Sequence, residues 1–118
     1  MKNFKDLSDT LKDLVSIVEK TAEWSTFDVS QAFLDDSNYY APMVTGDLKR
    51  SSITWSIFEE GHLEWRTPYA RRLFYNPQYN FSKDANPNAS GLWAEKAKTN
   101  NGNKYTSLTN DNFERAKK

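Results

Sequence analysis

Few side chains in this sequence are of types that do chemistry, and their spacing argues against most of the chemistry they suggest. His62 is the only histidine. It sits beside a turn at Glu59-Glu60-Gly61, and no serine–aspartate pairing is implied around it. Glu59 and Glu60 are adjacent carboxylates at a turn tip, where solvated charge is expected. Glycoside hydrolysis needs two acids facing each other across a cleft, which neighbours in a turn do not supply. Asp84-x-Asn86-x-Asn88-x-Ser90, with Glu95 at the twelfth place, has the oxygen spacing of a calcium loop. The sixth place, however, is Ala89, where the sharp turn wants glycine; Pro87 is fourth, Gly91 is eighth, and no amphipathic helix leads in. A series of Asx and proline turns is the favoured reading, so neither a metal nor any other cofactor is expected.

One constellation remains, Arg71-Arg72 with Tyr69, Phe74, Tyr75 and Tyr79. Such a mix can stack on single-stranded nucleic acid. It also matches the Tyr and Arg anchors of protein interfaces. Sixteen basic and sixteen acidic residues cancel, whereas nucleic-acid-binding domains normally carry a basic excess. The interface reading is therefore favoured, with Arg71, Arg72, Tyr75, Tyr79 and Phe81 as candidate contacts.

Those residues need a scaffold, and the composition limits it. Apolar residues make up 37% of 118, and mean hydropathy is −0.85. Four Trp, six Tyr and seven Phe offset that poverty, so the core should be small and aromatic. There is no cysteine, which excludes disulfides and thiolate metal sites. The N-terminus has no apolar signal core, and no apolar run approaches the roughly 18 residues of a membrane span. Synthesis and folding in a cytoplasm are expected, with no membrane partner and no small-molecule substrate.

The hydrophobic spacing predicts helix over 3–40. Phe4, Leu7, Leu11, Leu14, Val18 and Ala22 recur every three or four residues, then Val29, Ala32 and Phe33. Either one helix or two with a break near 20–26 fits. Pro42 should end it. Gly46 suits a turn, with Thr45 as a cap for a short helical segment at 47–52. Over 53–67, Ile53, Trp55 and Ile57 alternate with polar residues, as do Leu63, Trp65 and Thr67. This predicts a β-hairpin around Glu59-Glu60-Gly61, with Gly61 left-handed, Ile57 opposite Leu63 and Trp55 opposite Trp65. Pro68 should start a short helix at 69–74. Residues 75–91 read as a long loop, mobile in the free chain and available for assembly. A short helix at 92–98 carries Trp93; Asn- and Gly-rich residues 99–104 read as a connector, and 110–118 as a fraying helix. The expected fold is α+β: a long N-terminal helical segment on a small antiparallel sheet built around the hairpin, with short C-terminal helices. The expected organisation is one domain over 1–98 and a polar tail over 99–118.

Three phrases, taken in order, carry a family resemblance. Pro42-x-x-Thr45-Gly46-x-Leu48-x-x-Ser51 precedes the hairpin with Trp55 and Trp65. Pro68-Tyr69-Ala70 follows it. Asn80-Phe81-Ser82, Asn86-Pro87 and Trp93 complete the set. Over about residues 5–98 the chain resembles the minor capsid, or head–tail joining (neck), proteins of long-tailed bacteriophages, in the variant of Gram-positive phages and prophages. The resemblance implies a non-enzymatic virion protein at the head–tail junction, made in the host cytoplasm. It implies a ring of copies in contact with head-closure and tail-completion proteins, with DNA only as the contents of the channel. The free chain is expected to be a monomer or weak oligomer, because no long coiled-coil seam or large apolar patch stands out. A tail-completion (tail terminator) protein is the alternative within the resemblance, and a nucleic-acid-binding protein using Arg71 and Arg72 is the alternative outside it.

Overall fold

The apolar spacing of the first third does produce helix, and it is a single one. In the computed structural model, which describes residues 4–43 and 46–118, α1 runs unbroken over Phe4–Tyr40. The soft region at 20–26 stays helical, with its hydroxyls bonded back to the preceding turn. Thr21 Oγ1 donates to the Ile17 carbonyl and Thr26 Oγ1 to that of Ala22, both at 2.7 Å. The helix ends at Tyr40, two residues before Pro42, as the restriction on a pre-proline residue requires. Its 37 residues span about 55 Å at 1.5 Å each, which explains a molecule measuring 68 × 24 × 20 Å.

Gly46 takes a left-handed conformation (φ 84°) and leads into α2, Asp47–Trp55. The turn is the expected one; Thr45, its expected cap, lies outside the described residues. Leu48, Ser51 and Ser52 are the buried residues of α2. The hairpin, by contrast, does not form. Helix α2 absorbs Ile53 and Trp55, which stay 60% and 45% exposed. A 3₁₀ turn at Phe58–Glu60 follows, closed by Gly61 at φ 67°. Left-handed Gly61 was foreseen, but it closes only one isolated bridge, between Ile57 and His62. The reason lies in the backbone donors. The Glu64 N–H goes to Ser56 Oγ and the Arg66 N–H to Ser51 Oγ, each at 3.0 Å. Serine hydroxyls of and next to α2 thus take the donors that a facing strand would have used. The expected α+β fold with an antiparallel sheet is therefore corrected: the described residues are mostly helical and contain no sheet.

A second correction concerns the C-terminal third. After the short α3, Ala70–Phe74, and a long loop, α4 runs through Trp93–Ala116. It crosses residues 99–104 without interruption, so no connector and no separate terminal helices form. Helix α4 lies antiparallel on α1. From one end to the other, Asn100 Nδ2 donates to Tyr40 Oη at 2.8 Å and Tyr105 Oη to Asp36 Oδ2 at 2.7 Å. Lys104 Nζ stands 2.8 Å from Asp36 Oδ2. Asn112 Nδ2 reaches Ser25 Oγ at 3.2 Å and Asp28 Oδ2 at 3.1 Å. The Arg115 guanidinium covers the Trp24 ring at 3.7 Å. Polar groups tie this seam together, which is why hydrophobic spacing gives so little warning of it.

Helix α4 ends beside Trp24, and the first five turns of α1 continue past it. There Leu7, Leu11, Leu14, Val15 and Val18 are each more than half exposed. These side chains form a short apolar stripe of about three turns, less than a long coiled-coil seam.

Two predictions come from this arrangement. Trp93 is 1% exposed, so Trp93→Ala should lower stability by roughly 3–5 kcal/mol. Trp55 is half in solvent and mainly supports Arg66, whose guanidinium lies 3.9 Å from its ring centre. Trp55→Ala should therefore remove no more than about 1 kcal/mol. Urea denaturation of both variants checks this; equal losses would restore the hairpin pairing. The second concerns Tyr105, whose hydroxyl is pushed above its usual value by burial first and by the hydrogen bond to Asp36 second. The folded protein therefore holds this proton where the unfolded chain releases it, near pH 10. Stability from this group should be complete below about pH 10 and decline as pH rises toward the higher native value. Tyr105→Phe should cost about 1 kcal/mol at neutral pH and flatten that alkaline decline in pH-dependent melts.

Candidate assembly interface

Trp93 organises the end of the molecule opposite the free part of α1. Its ring meets Phe74 edge-on, with centroids 4.8 Å apart and planes at 86°, and Trp65 at 6.0 Å and 68°. Ala41, Leu48 and Ala70 complete the buried cluster. Trp65 is held from the other side, since its Nε1 donates to Asn38 Oδ1 on α1 at 2.9 Å. Trp65 thus reaches α1 through this bond, but no hairpin delivers it and Trp55 does not join it. The indole N–H of Trp93 is buried with no acceptor among the described residues.

Local backbone geometry sets α3 against the start of α4. Leu92, the residue before α4, has a left-handed φ of 51°, and its N–H reaches the Phe74 carbonyl at 2.8 Å. At Gly91 a side chain would have no room: an added Cβ would stand 2.8 Å from Pro77 Cα and 3.0 Å from the Leu73 carbonyl oxygen. Backbone on both sides leaves nothing that can rotate away.

Between the two helices lies an open pocket of about 250 Å³, lined by Trp65, Ala70, Arg71, Phe74, Tyr75, Trp93 and Ala94. Of the candidate contacts, Arg71 and Tyr75 meet at its rim, the guanidinium 6.0 Å from the ring centre. Tyr75 is 64% exposed. Arg72 is exposed one residue further along α3, and no ion pair engages either arginine among the described residues. Tyr79 and Phe81 form a separate pair, centroids 6.3 Å apart, with Tyr79 exposed and Phe81 half-buried; they do not line the pocket. Phe74, Ala94 and Trp93 are walls that come from distant stretches of sequence, and the basic-aromatic pattern pointed only to Phe74.

The long loop is tied down in its second half. Asn86 Nδ2 donates to the carbonyls of Tyr39 and Ala41 at 2.9 and 2.7 Å, and the Ser90 N–H to that of Tyr40 at 2.9 Å. The Lys83 ammonium donates to the Ala89 carbonyl. Asn86, read as a turn residue rather than a calcium ligand, spends its amide on closing the end of α1. Among the described residues no group of three or more His, Cys, Asp or Glu side chains could hold a metal ion. His62 Nε2 lies 3.2 Å from Glu64, which also accepts from Arg66 Nε at 3.1 Å. Those bonds, His62 first and Arg66 second, hold the Glu64 carboxyl below its usual range. In the remaining motif positions Leu48 and Ala70 are buried, Pro42 is half-buried, and Pro68 and Tyr69 are exposed.

Residues 6–110 match the family model described as minor capsid protein. The chain belongs to the minor capsid protein family. Its role is accordingly that of a bacteriophage structural protein, and its place is the virion. No curated protein and no solved structure gives a significant match. The family match extends through residue 110 and so includes most of α4, well past the region where the three phrases lie.

For this minor capsid protein the Gly91 junction is the sharpest test of the pocket's construction. Gly91→Ala should destabilise by roughly 1–3 kcal/mol through overpacking. Gly102→Ala, inside α4 with nothing within 4 Å, should instead stabilise by about 0.5–1 kcal/mol. Thermal melts of the two variants should move in opposite directions.

Proposed function

We propose that this minor capsid protein is a structural, non-catalytic part of the head–tail connector, arranged as a ring and joined to its neighbours through the α3 rim. One observation carries the reading: Arg71, Arg72 and Tyr75 stand exposed beside an open aromatic pocket. Exposed arginines without carboxylate partners and a tyrosine at the edge of a pocket are what a protein interface uses as anchors. The pocket accepts one apolar or aromatic side chain of a neighbour, and the guanidiniums pair with carboxylates around it. Neutral overall charge is compatible with a component that contacts other proteins and only surrounds DNA.

Arg71→Ala/Arg72→Ala should leave the fold and melting temperature unchanged, because both side chains are in solvent. Heads and tails should then accumulate unjoined, as seen by electron microscopy of lysates. Intact infectious particles at normal yield would remove the α3 rim from the junction. Salt-dependent DNA binding by the purified protein, lost in the same variant, would instead favour the nucleic-acid reading.

A further inference from the structure

The free N-terminal part of α1 carries a second, unrelated surface. Leu7, Leu11, Leu14 and Val18 follow one another at intervals of four, three and four, the spacing of a coiled-coil seam. Leu7 and Leu14 take the d positions, Leu11 and Val18 the a positions. Relative exposures of 52, 54, 53 and 62% show that nothing in the described chain covers them.

The direction of this stripe is fixed by the rest of α1. Leu7 stands five turns before Ser25, Leu14 five turns before Ala32, and Val18 five turns before Asp36, at 3.6 residues per turn. Ser25 and Asp36 are residues on which α4 is bonded. The stripe is therefore the continuation of the α4 groove beyond the point where α4 stops. Whatever fills it must be a helix lying in line with α4.

We propose that the occupant is the same stripe of a second copy, paired antiparallel. A heptad seam is self-complementary. Flanking positions Ser8, Thr10, Val15 and Ile17 carry no charge, so like-with-like pairing meets no repulsion. A parallel partner would drive its own α1 into the end of α4. An antiparallel partner avoids that collision. It sets Leu7 against Val18 and Leu11 against Leu14, and sends the two folded bodies to opposite ends. Pairing would bury on the order of 1,000 Å² in total, the lower limit of a specific interface. A lipid surface fits less well, since it selects a cationic polar face, and here Lys2, Lys5, Lys12 and Lys20 are balanced by Asp6, Asp9, Asp13 and Glu19. The inference is independent of the connector reading, because the stripe and the α3 rim occupy opposite ends of α1.

Sedimentation equilibrium of the full chain from roughly micromolar to millimolar concentration should show a monomer–dimer equilibrium. Leu11→Asp/Leu14→Asp should weaken it by at least about a hundredfold while leaving the melt of the folded body in place, because both side chains are solvent-exposed in the single chain. Orientation is read by disulfide trapping, since the chain has no cysteine of its own. Leu7→Cys chains mixed with Val18→Cys chains should cross-link to each other and not to themselves. A monomer at every concentration, or an unaffected dimer in the double variant, would overturn the proposal. Homodimeric cross-links in the separate Leu7→Cys and Val18→Cys samples would overturn the antiparallel arrangement.

Discussion

The carboxamide of Asn38 is the interaction on which the folded body turns. From α1, its Oδ1 accepts the Trp65 indole N–H and its Nδ2 donates to Ser52 Oγ on α2 at 2.9 Å. Ser52 in turn donates to the Lys49 carbonyl. One buried side chain thus joins a long helix, a short helix and the extended segment that carries Trp65 to Trp93. A chain this poor in apolar residues cannot rely on area alone. Its buried residues include the hydrogen-bonded Ser25, Asn38, Ser51, Ser52, Asn86 and Asn112 alongside Leu34, Leu48 and Trp93. Buried polar groups of this kind stabilise only when paired, and once paired they dictate which segments meet. Trp65 cannot slide along α1 without leaving both its own N–H and the Asn38 oxygen unpaired.

That polar logic separates what the sequence reveals from what it hides. The helical spacing from Leu7 to Val18 was legible because apolar residues carry the period, and Gly46 was legible because left-handed turns favour glycine. The hairpin over 53–67 failed although its alternation was real. An isolated hairpin is marginal, and here the Ser51 and Ser56 hydroxyls compete for the backbone donors a strand would need. With Gly46 setting the start of α2, Ile53 to Trp55 follow as its last turn. Residues 99–104 failed for the opposite reason. Asparagine and glycine lower helix propensity by fractions of a kcal/mol up to about 1 kcal/mol each, and tertiary bonds offset that loss. Asn100 holds Tyr40, Lys104 and Tyr105 hold Asp36, and Asn101 bonds back to the Ala97 carbonyl. Ala97 is a local partner four residues back, but Tyr40 and Asp36 lie far away in sequence and are not visible in a local window.

The candidate interface was legible in part for the same reason. Arg71, Arg72 and Tyr75 are adjacent in sequence and remain adjacent in space, so their residue types were enough to single them out. Tyr79 and Phe81 are separated from them by the turn at Asn76 and Pro77. The pocket itself is assembled from Trp65, the α3 residues and the first turn of α4, brought together by Leu92's left-handed backbone and the absence of a side chain at Gly91. Propensity and periodicity describe neighbours along the chain and say nothing about such a three-part wall.

Along α1 the character of the groove changes from polar to apolar at the point where α4 ends. From Trp24 to Tyr40 the groove is matched by contacts of defined geometry with Asn100, Lys104, Tyr105, Asn112 and Arg115 of α4. From Leu7 to Val18 it presents branched aliphatic side chains, which pack on any helix of suitable spacing. The polar half specifies an intramolecular register and resists exchange, because each broken bond leaves a group such as Asn112 or Asp36 without its partner. The apolar half carries no such penalty, because its side chains have no hydrogen bonds to lose. The two ends of the rod therefore differ in kind: an apolar stripe that a helix of suitable spacing can match, and an α3 pocket whose walls are set by the backbone at Gly91 and Leu92.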